Sequence, residues 1–242
     1  MNHATDEAVR AVLIEAGTCM IANILLAQGL RGTMLRDVGP LAPDGGAMAG
    51  PAYTLRFIPS REDLDSLATY ALADNKHRRA IEECPPGSVL VIDSNHSSAG
   101  SSMGDLMALR LRVRGVAGAV TDGGFRDSTG IIASGLPSFH RAPAGVATPV
   151  AFHAAGLQEP IGCAGVAVYP GDMIVGDSDG VVAIPRDRVA AVAEAAAVAV
   201  DYEVFAQREI RGGRSILEVF PATAESRLEF EKWAAAGRPG EE

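Results

Sequence analysis

The sequence predicts an α/β fold with mixed sheets, and three observations carry this. Helical and strand-like patterns interleave over the first 135 or so residues of the 242-residue chain. Short β-branched runs separated by tight-turn sequences dominate Ile161 to Pro185. A long Ala- and Val-rich stretch of helix formers follows from Arg186 to Arg208.

Taken in order, Asp6 to Leu30 reads as helix with a break near Gly17-Thr18. Thr18 is the expected cap of the second piece, and Ile21, Ile24, Leu25 and Leu26 form its apolar face. Gly29 to Met48 is turn-rich with no clear period. Gly50 to Ile58 alternates as a strand and stops at Pro59. Asp63 to Glu83 is expected as one helix carrying Leu64, Leu67, Tyr70, Ala71 and Ile81, with Asn75, Lys76 and His77 on its polar face. Pro85-Pro86-Gly87 ends it. Val89 to Ile92 reads as a buried strand, and Asp93 to Ser102 as a polar loop.

The stretch GSSMGDLMALRLRVRGVAGAVTDGGFRDSTGI, Gly100 to Ile131, organises the rest. A helix begins at Asp105, with Leu106, Leu109, Leu111 and Val113 as apolar positions, and Gly115 stops it. Ala117 to Thr121 is long enough for a buried strand. Asp122-Gly123-Gly124 turns the chain into Phe125-Arg126-Asp127. A short helix then gives way to Gly135-Leu136-Pro137, and Ser138 to Arg141 and Val146 to Phe152 are expected as strands. Gly212-Gly213 reads as a hinge before a helix that runs from Pro221 to Trp233, and Gly237 to Glu242 is expected to fray.

Bulk properties exclude some functions. A net charge of −9 argues against nucleic acid as the main ligand, since phosphate binding wants a basic face. Cys19, Cys84 and Cys163 are far apart and odd in number, with neither metal spacing nor a disulfide framework, which suits a reducing cytoplasm. MNHATDEAVR lacks the basic-then-apolar signal pattern, and the apolar runs read as too interrupted to cross a membrane.

The organising stretch places an acid at a helix start and an Arg-Asp pair after a strand-end turn. If both lie on one side of the sheet, they form one pocket. Free N–H groups at Leu106 and Met107 would face an anion, favoured by the helix dipole. Arg126 offers a planar fork for a carboxylate or keto oxygen. Asp105 and Asp127 are hard oxygen ligands of the kind Mg²⁺ or Mn²⁺ takes directly or through water. A cation, an arginine and a helix N-terminus together suit a small 2-oxo acid whose enolate must be stabilised.

The run Gly104-Asp105-Leu106-Met107, Gly115, then Asp122-Gly123-Gly124-Phe125-Arg126-Asp127 resembles the signature of the RraA-like family. Two further blocks resemble it as well: Pro86-Gly87-Ser88-Val89-Leu90-Val91-Ile92-Asp93, and Gly165 to Asp172 leading to Asp177-Ser178-Asp179-Gly180 and Pro185. The resemblance covers about Ala16 to Val200; each motif alone is weak, and three in order are strong. The family includes class II 4-hydroxy-4-methyl-2-oxoglutarate / 4-carboxy-4-hydroxy-2-oxoadipate aldolases and RNase E inhibitor proteins. It implies a swivelling β/β/α-type sandwich over residues 1–210, assembled as trimers or hexamers with sites at subunit interfaces. Residues 211–242 would be a helical extension packed on the domain or on a neighbouring subunit.

The resemblance implies a metal-dependent lyase that releases pyruvate, with oxaloacetate decarboxylation as a side activity. Arg126 would bind the pyruvyl oxygens, Asp127 would ligate the metal, and Asp105 would hold water at the metal and relay the 4-hydroxyl proton. Gly104, Leu106 and Met107 would complete the substrate site. The rival readings are a non-catalytic RNase E-binding regulator, against which the joint presence of Asp105, Arg126 and Asp127 weighs, and a lyase acting on a sugar-derived 2-oxo acid.

Other signals have plainer readings. An Arg beside an Asp after a turn is ordinarily a surface ion pair, and only the flanking pattern lifts this one. Asp122 sits inside its turn and reads as structural. Asp172, Asp177 and Asp179 fit hairpin turns better than a metal cluster. His96, in the loop before the helix, is either solvated or a specificity residue. His140 and Arg141 line either a pocket mouth or an interface.

Overall fold

A computed structural model describes residues 3–239. The readings made for Met1-Asn2 and for the frayed end from Gly240 onward lie outside them. The chain opens with α1 (His3–Ala27), β1 (Gly39–Pro40), β2 (Met48–Pro59), α2 (Leu67–Tyr70), α3 (Lys76–Glu83) and β3 (Val89–Asp93). The central part runs β4 (Ser101–Met103), α4 (Asp105–Val113), β5 (Gly118–Thr121), β6 (Gly124–Phe125), α5 (Ser128–Ser134), β7 (Ser138–His140) and β8 (Ala142–Pro143). Then come α6 (Thr148–Ala151), β9 (Phe152–Leu157), β10 (Ile161–Cys163), β11 (Val166–Val168), β12 (Met173–Asp177) and β13 (Gly180–Ile184). Helices α7 (Val189–Arg211), α8 (Ile216–Val219) and α9 (Ala224–Ala235) close the chain.

One large mixed sheet has the order β1-β7-β5-β3-β2-β12-β13, with β9 added to β2. Its centre is parallel, β7-β5-β3-β2, and its flanks are antiparallel. The segment before β1 joins the two ends: Leu35 N–H donates to Val181 C=O at 2.9 Å, and Ala183 N–H donates to Thr33 C=O at 2.9 Å. The sheet thus closes almost into a barrel. A small parallel sheet, β4-β6-β8, and the β10-β11 hairpin form separate layers.

Strand β3 shows why an unbroken apolar run belongs here. Val89 and Val91 face the barrel interior with Phe139, Ile174 and Val181. Leu90 and Ile92 face the helices with Leu111, Phe125 and Ile131. A parallel strand buried on both faces has no polar side to show. A third apolar layer sets Leu13, Ile21 and Leu25 of α1 against Val175, Val182 and Ile184 of β12 and β13, and against Val189 and Val192 of α7.

The break in α1 falls at Gly17, with φ 72° and ψ 165°. The cap comes from elsewhere in the chain: Thr18 N–H and Oγ1 donate to the two carboxylate oxygens of Asp177 at 2.6 and 2.8 Å. Asp177 also accepts from Asp179 N–H at 2.9 Å, so it serves its own hairpin turn as well. Glu7–Ala27 is, by length and composition, apolar enough to cross a membrane, with a mean hydropathy of 1.7, contrary to the expectation of interrupted runs. In this fold Leu13, Ile21 and Leu25 cover β12 and β13, while Ile14 and Leu26 are exposed.

Three local expectations are corrected. Asp63 to Glu83 is two helices, because Asn75 caps α3 by accepting from His77 and Arg78 N–H. Lys76 and His77 therefore open a helix, and His77 is buried instead of lying on a polar face. Val146 to Phe152 is a helical turn, α6, with Pro149 in its first turn, where a missing N–H costs nothing; the strand starts only at Phe152. In α4, Leu111 and Ala108 are buried while Leu106, Leu109 and Val113 are exposed, so the apolar stripe is narrower than its composition suggests.

The C-terminal helices fold back on α7 of the same chain. Tyr202 and Phe205 of α7 pack against Phe230 and Trp233 of α9 with ring centroids 5.5–5.9 Å apart. The Tyr202 hydroxyl donates to Val219 C=O at 2.6 Å, pinning α8 to the same place.

Candidate functional site

The small parallel sheet builds the site. Met103 of β4 pairs with Phe125 of β6, and Arg126 N–H donates to Met103 C=O at 3.0 Å. One register therefore sets the start of α4 next to the Arg126-Asp127 pair. Each strand is only two or three residues long, so the side chains just beyond them inherit the strands' positions. Arg126 Nε lies 3.2 Å from Asp127 Oδ2, with the two side chains 44 % and 46 % exposed.

Asp127 adopts the left-handed conformation, φ 57° and ψ 41°, at the start of α5. Its carbonyl accepts from Gly130 and Ile131 N–H at 2.8 and 3.0 Å. Its carboxylate makes no cap, although a capping acid is what this position ordinarily wants. The backbone instead turns the carboxylate toward Arg126 and Gly104. Left-handed backbone costs a non-glycine residue about 1–2 kcal/mol, less for Asp than for most, and such conformations concentrate at functional sites.

Two glycines allow the elements to close up. A Cβ on Gly104 would stand 2.8 Å from Asp127 Oδ2 and 3.1 Å from Arg126 Nε. A Cβ on Gly130 would stand 2.6 Å from Asp105 Cβ. Neither has positive φ; each is glycine because a side chain's worth of space is already occupied. Gly130 was not among the residues singled out from sequence, and a glycine inside the short helix after Asp127 was the available cue.

Asp105, in the first turn of α4, accepts from its neighbour's N–H: Leu106 N donates to Asp105 Oδ1 at 2.8 Å. Of the two backbone donors expected to hold an anion, the Leu106 N–H is therefore engaged, and the Met107 N–H has no partner among the described residues. The Leu106 side chain is 77 % exposed. Beside Leu106 and Met107 opens a cavity of about 430 Å³, also lined by Arg78, Ile81, Glu82 and Arg110. Arg110 is paired with Glu82 at 2.8 Å. Arg78 donates to the Ala71 carbonyl and has no ion-paired carboxylate among the described residues.

The remaining polar residues of the motif are structural. Asp122 is fully buried and accepts from Ser94, Ala164 and His96 N–H at 2.6, 3.2 and 3.1 Å, tying the β3–β4 loop and the β10–β11 turn to the end of β5. Ser94, Ser102 and Thr121 share a buried triangle of hydroxyls at 2.7–3.0 Å, and Thr121 Oγ1 accepts from Gly123 N–H. This network fixes the turn from which Arg126 departs. His140 stacks on Phe125 and its Nδ1 accepts from Phe125 N–H at 3.4 Å; burial pushes its pKa down. His96 is exposed, with its backbone held by Asp122 and Arg141. Asp172 accepts from Tyr169 and Arg186 N–H, as a turn acid does.

The donor set bears on a metal. Among the described residues no three His, Cys, Asp or Glu side chains converge. Two carboxylates at facing element ends, with no soft ligand, fit a hard cation that keeps several of its waters, as Mg²⁺ does. Asp127 would ligate it, and Asp105 would hold water at it.

The chain is similar to several known proteins. The chain shares 36 % identity over 139 residues with a Halalkalibacterium halodurans protein named "Putative 4-hydroxy-4-methyl-2-oxoglutarate aldolase", covering 57 % of this chain and 60 % of that one. It shares 30 % over 177 residues with Protein DlpA of Legionella pneumophila, covering 73 % of this chain and 27 % of the relative. The matched region thus spans between about a quarter and three fifths of these relatives' length. The crystal structure of Streptomyces coelicolor RraAS2, described as an unusual member of the RNase ES inhibitor RraA protein family, superposes with a TM-score of 0.73. That pair is 26 % identical, and the match covers 82 % of this chain and 95 % of that one. Residues 18–183 match the family model RraA-like (Aldolase/RraA), a span that contains the large sheet short of Ile184, the last residue of β13, and the residues of the candidate site. On sequence, fold and motif together, this chain belongs to the RraA-like family.

Proposed function

We propose that this protein is a divalent-metal-dependent lyase of the class II aldolase type, cleaving a small 4-hydroxy-2-oxo acid to release pyruvate. The β4–β6 register supports this reading, because it sets the start of α4, which carries Asp105, beside the Arg126-Asp127 pair. Bound Mg²⁺ or Mn²⁺ supplies Lewis-acid polarisation of the 2-oxo acid. Arg126 binds the keto and carboxylate oxygens through its planar fork and holds the enolate more tightly than the ground state. Asp105 receives the 4-hydroxyl proton, through water, as the C3–C4 bond breaks. The C4 fragment leaves as a carbonyl compound, the C3–C4 electron pair moves into the C2–C3 enolate, and the proton taken up by Asp105 returns through water to C3 to give pyruvate.

The likeness to the relative named "Putative 4-hydroxy-4-methyl-2-oxoglutarate aldolase" supports a substrate with a second carboxylate. In a panel of 2-oxo acids with Mg²⁺ or Mn²⁺, followed by coupled pyruvate detection, 4-hydroxy-2-oxo dicarboxylates are expected to react best. Oxaloacetate decarboxylation should appear as a slower activity through the same enolate. A panel with no turnover would favour the other reading, a non-catalytic RNase-binding regulator, which the likeness to RraAS2 supports.

A homotrimer or homohexamer belongs to the same proposal. Arg126 and Asp127 stand on open surface beside exposed Leu106, and a neighbouring subunit would exclude water from them. Light scattering is expected to give a trimer or a multiple of it; a fully active monomer would overturn the shared site.

A further inference from the structure

An imidazole that the reaction leaves unused is buried beside the first turn of α4. His77, at the start of α3, is 1 % exposed. Its ring stands edge-on to Phe57, with centroids 5.2 Å apart and planes at 86°. Its Nδ1 lies 3.2 Å from the Tyr70 hydroxyl; its Nε2 makes no well-formed hydrogen bond among the described residues, and the Ser102 backbone lies close enough to favour the protonated ring. Burial pushes its pKa down to about 4, so it stays neutral at working pH. The Tyr70 hydroxyl also reaches Met107 Sδ at 3.9 Å.

The surroundings make this costly choice informative. Phe57 and Phe152 stack next to His77, so another aromatic ring would pack there without desolvating a nitrogen. A buried polar atom left unpaired costs about 1–3 kcal/mol. What the imidazole adds over a phenyl ring is a directional partner for a hydroxyl. That hydroxyl belongs to the residue that anchors α2, a four-residue helix with no buried residue, in which Leu67 is 74 % exposed. The segment around α2 is fastened at its start by Asp65 to His153 at 2.7 Å, and at its end by Tyr70 to His77. The Tyr70 hydroxyl also contacts Met107, which stands in the first turn of α4.

We propose that Tyr70 and His77 are positioning residues for the lyase site. His77 fixes the Tyr70 hydroxyl, and Tyr70, through Met107, holds the first turn of α4 in which Asp105 and the Met107 N–H stand. Its kinetic consequence rests on the lyase reading; the structural one does not.

The test uses Tyr70→Phe and His77→Phe in the full chain. Each is expected to lower kcat for pyruvate release about tenfold, with KM little changed, as a small misplacement of catalytic groups does. The thermal midpoint should hold in Tyr70→Phe and hold or rise in His77→Phe, whereas a merely structural pair would lower it and spare kcat. His77→Gln, which keeps a hydrogen-bonding group, should recover part of kcat. Amide hydrogen exchange in the Met103–Leu109 peptide should quicken in both Phe variants. Unchanged kcat in Tyr70→Phe, which removes one hydroxyl and leaves the ring, overturns the proposal. If the wild-type protein releases no pyruvate from any 2-oxo acid, the lyase reading has failed, and exchange decides alone: equal rates in the wild type and both Phe variants overturn the proposal.

Discussion

Arg126→Ala is expected to lower kcat for pyruvate release on the order of 10²-fold or more, the range found when a donor to a developing oxyanion is removed. The guanidinium is proposed to meet charge that grows as the C3–C4 bond breaks, so the loss should fall on kcat more than on KM. Arg126→Lys should rescue poorly, because an ammonium cannot offer two parallel donors to a carboxylate and keto oxygen. The fold should be indifferent to both changes. Arg126 is exposed, and its structural contribution, the hydrogen bond to Met103 C=O, comes from its backbone. Near wild-type turnover in Arg126→Ala, with unchanged circular dichroism, would place the chemistry elsewhere.

Replacing Asp127 should separate metal binding from stability. In Asp127→Ala, affinity for Mn²⁺, read by calorimetry or paramagnetic resonance, is expected to fall before any other property. Asp127→Gly sharpens the test, because glycine enters the left-handed region without the Cβ clash that Asp carries at φ 57°. That variant should be as stable as the wild type, or more stable by up to about 1 kcal/mol, while Mn²⁺ binding is lost. Asp105→Ala should lower kcat with a smaller effect on the metal, since Asp105 is proposed to act through water. Wild-type Mn²⁺ affinity in Asp127→Gly would remove Asp127 from the metal site. Activity that survives a chelator and metal-free buffer would remove the class II mechanism altogether.

The sequence alone carried the α/β class, the break at Gly17, the buried strand at Val89–Ile92, the helix start at Asp105 and the turn before Arg126. These are set by local chemistry: apolar period, turn residues, and glycines where the chain must bend. It failed where a local signal competed with a stronger one nearby. Asn75 capped a new helix inside what read as a single one, and Pro149 opened a helical turn inside what read as a strand.

The tertiary structure decided matters that depend on residues far apart in sequence. Thr18 looked like its own helix cap; Asp177, 159 residues later, caps it, because the β12–β13 hairpin packs on α1. Asp122 looked like a turn acid, and its burial under two loops follows only from the strand order. The sequence named Asp105, Arg126 and Asp127 but could not say that the start of α4 lies beside the Arg126-Asp127 pair. That placement depends on two strands pairing in parallel, and on Gly104 and Gly130 leaving room where a methyl group would collide. Tyr70 and His77 were invisible for the same reason: a histidine seven residues from a tyrosine carries no signal until the chain folds one ring over the other. Periodicity encodes which face a residue takes; which faces then touch is settled by long-range packing, where the cost of burying a polar atom selects its partner.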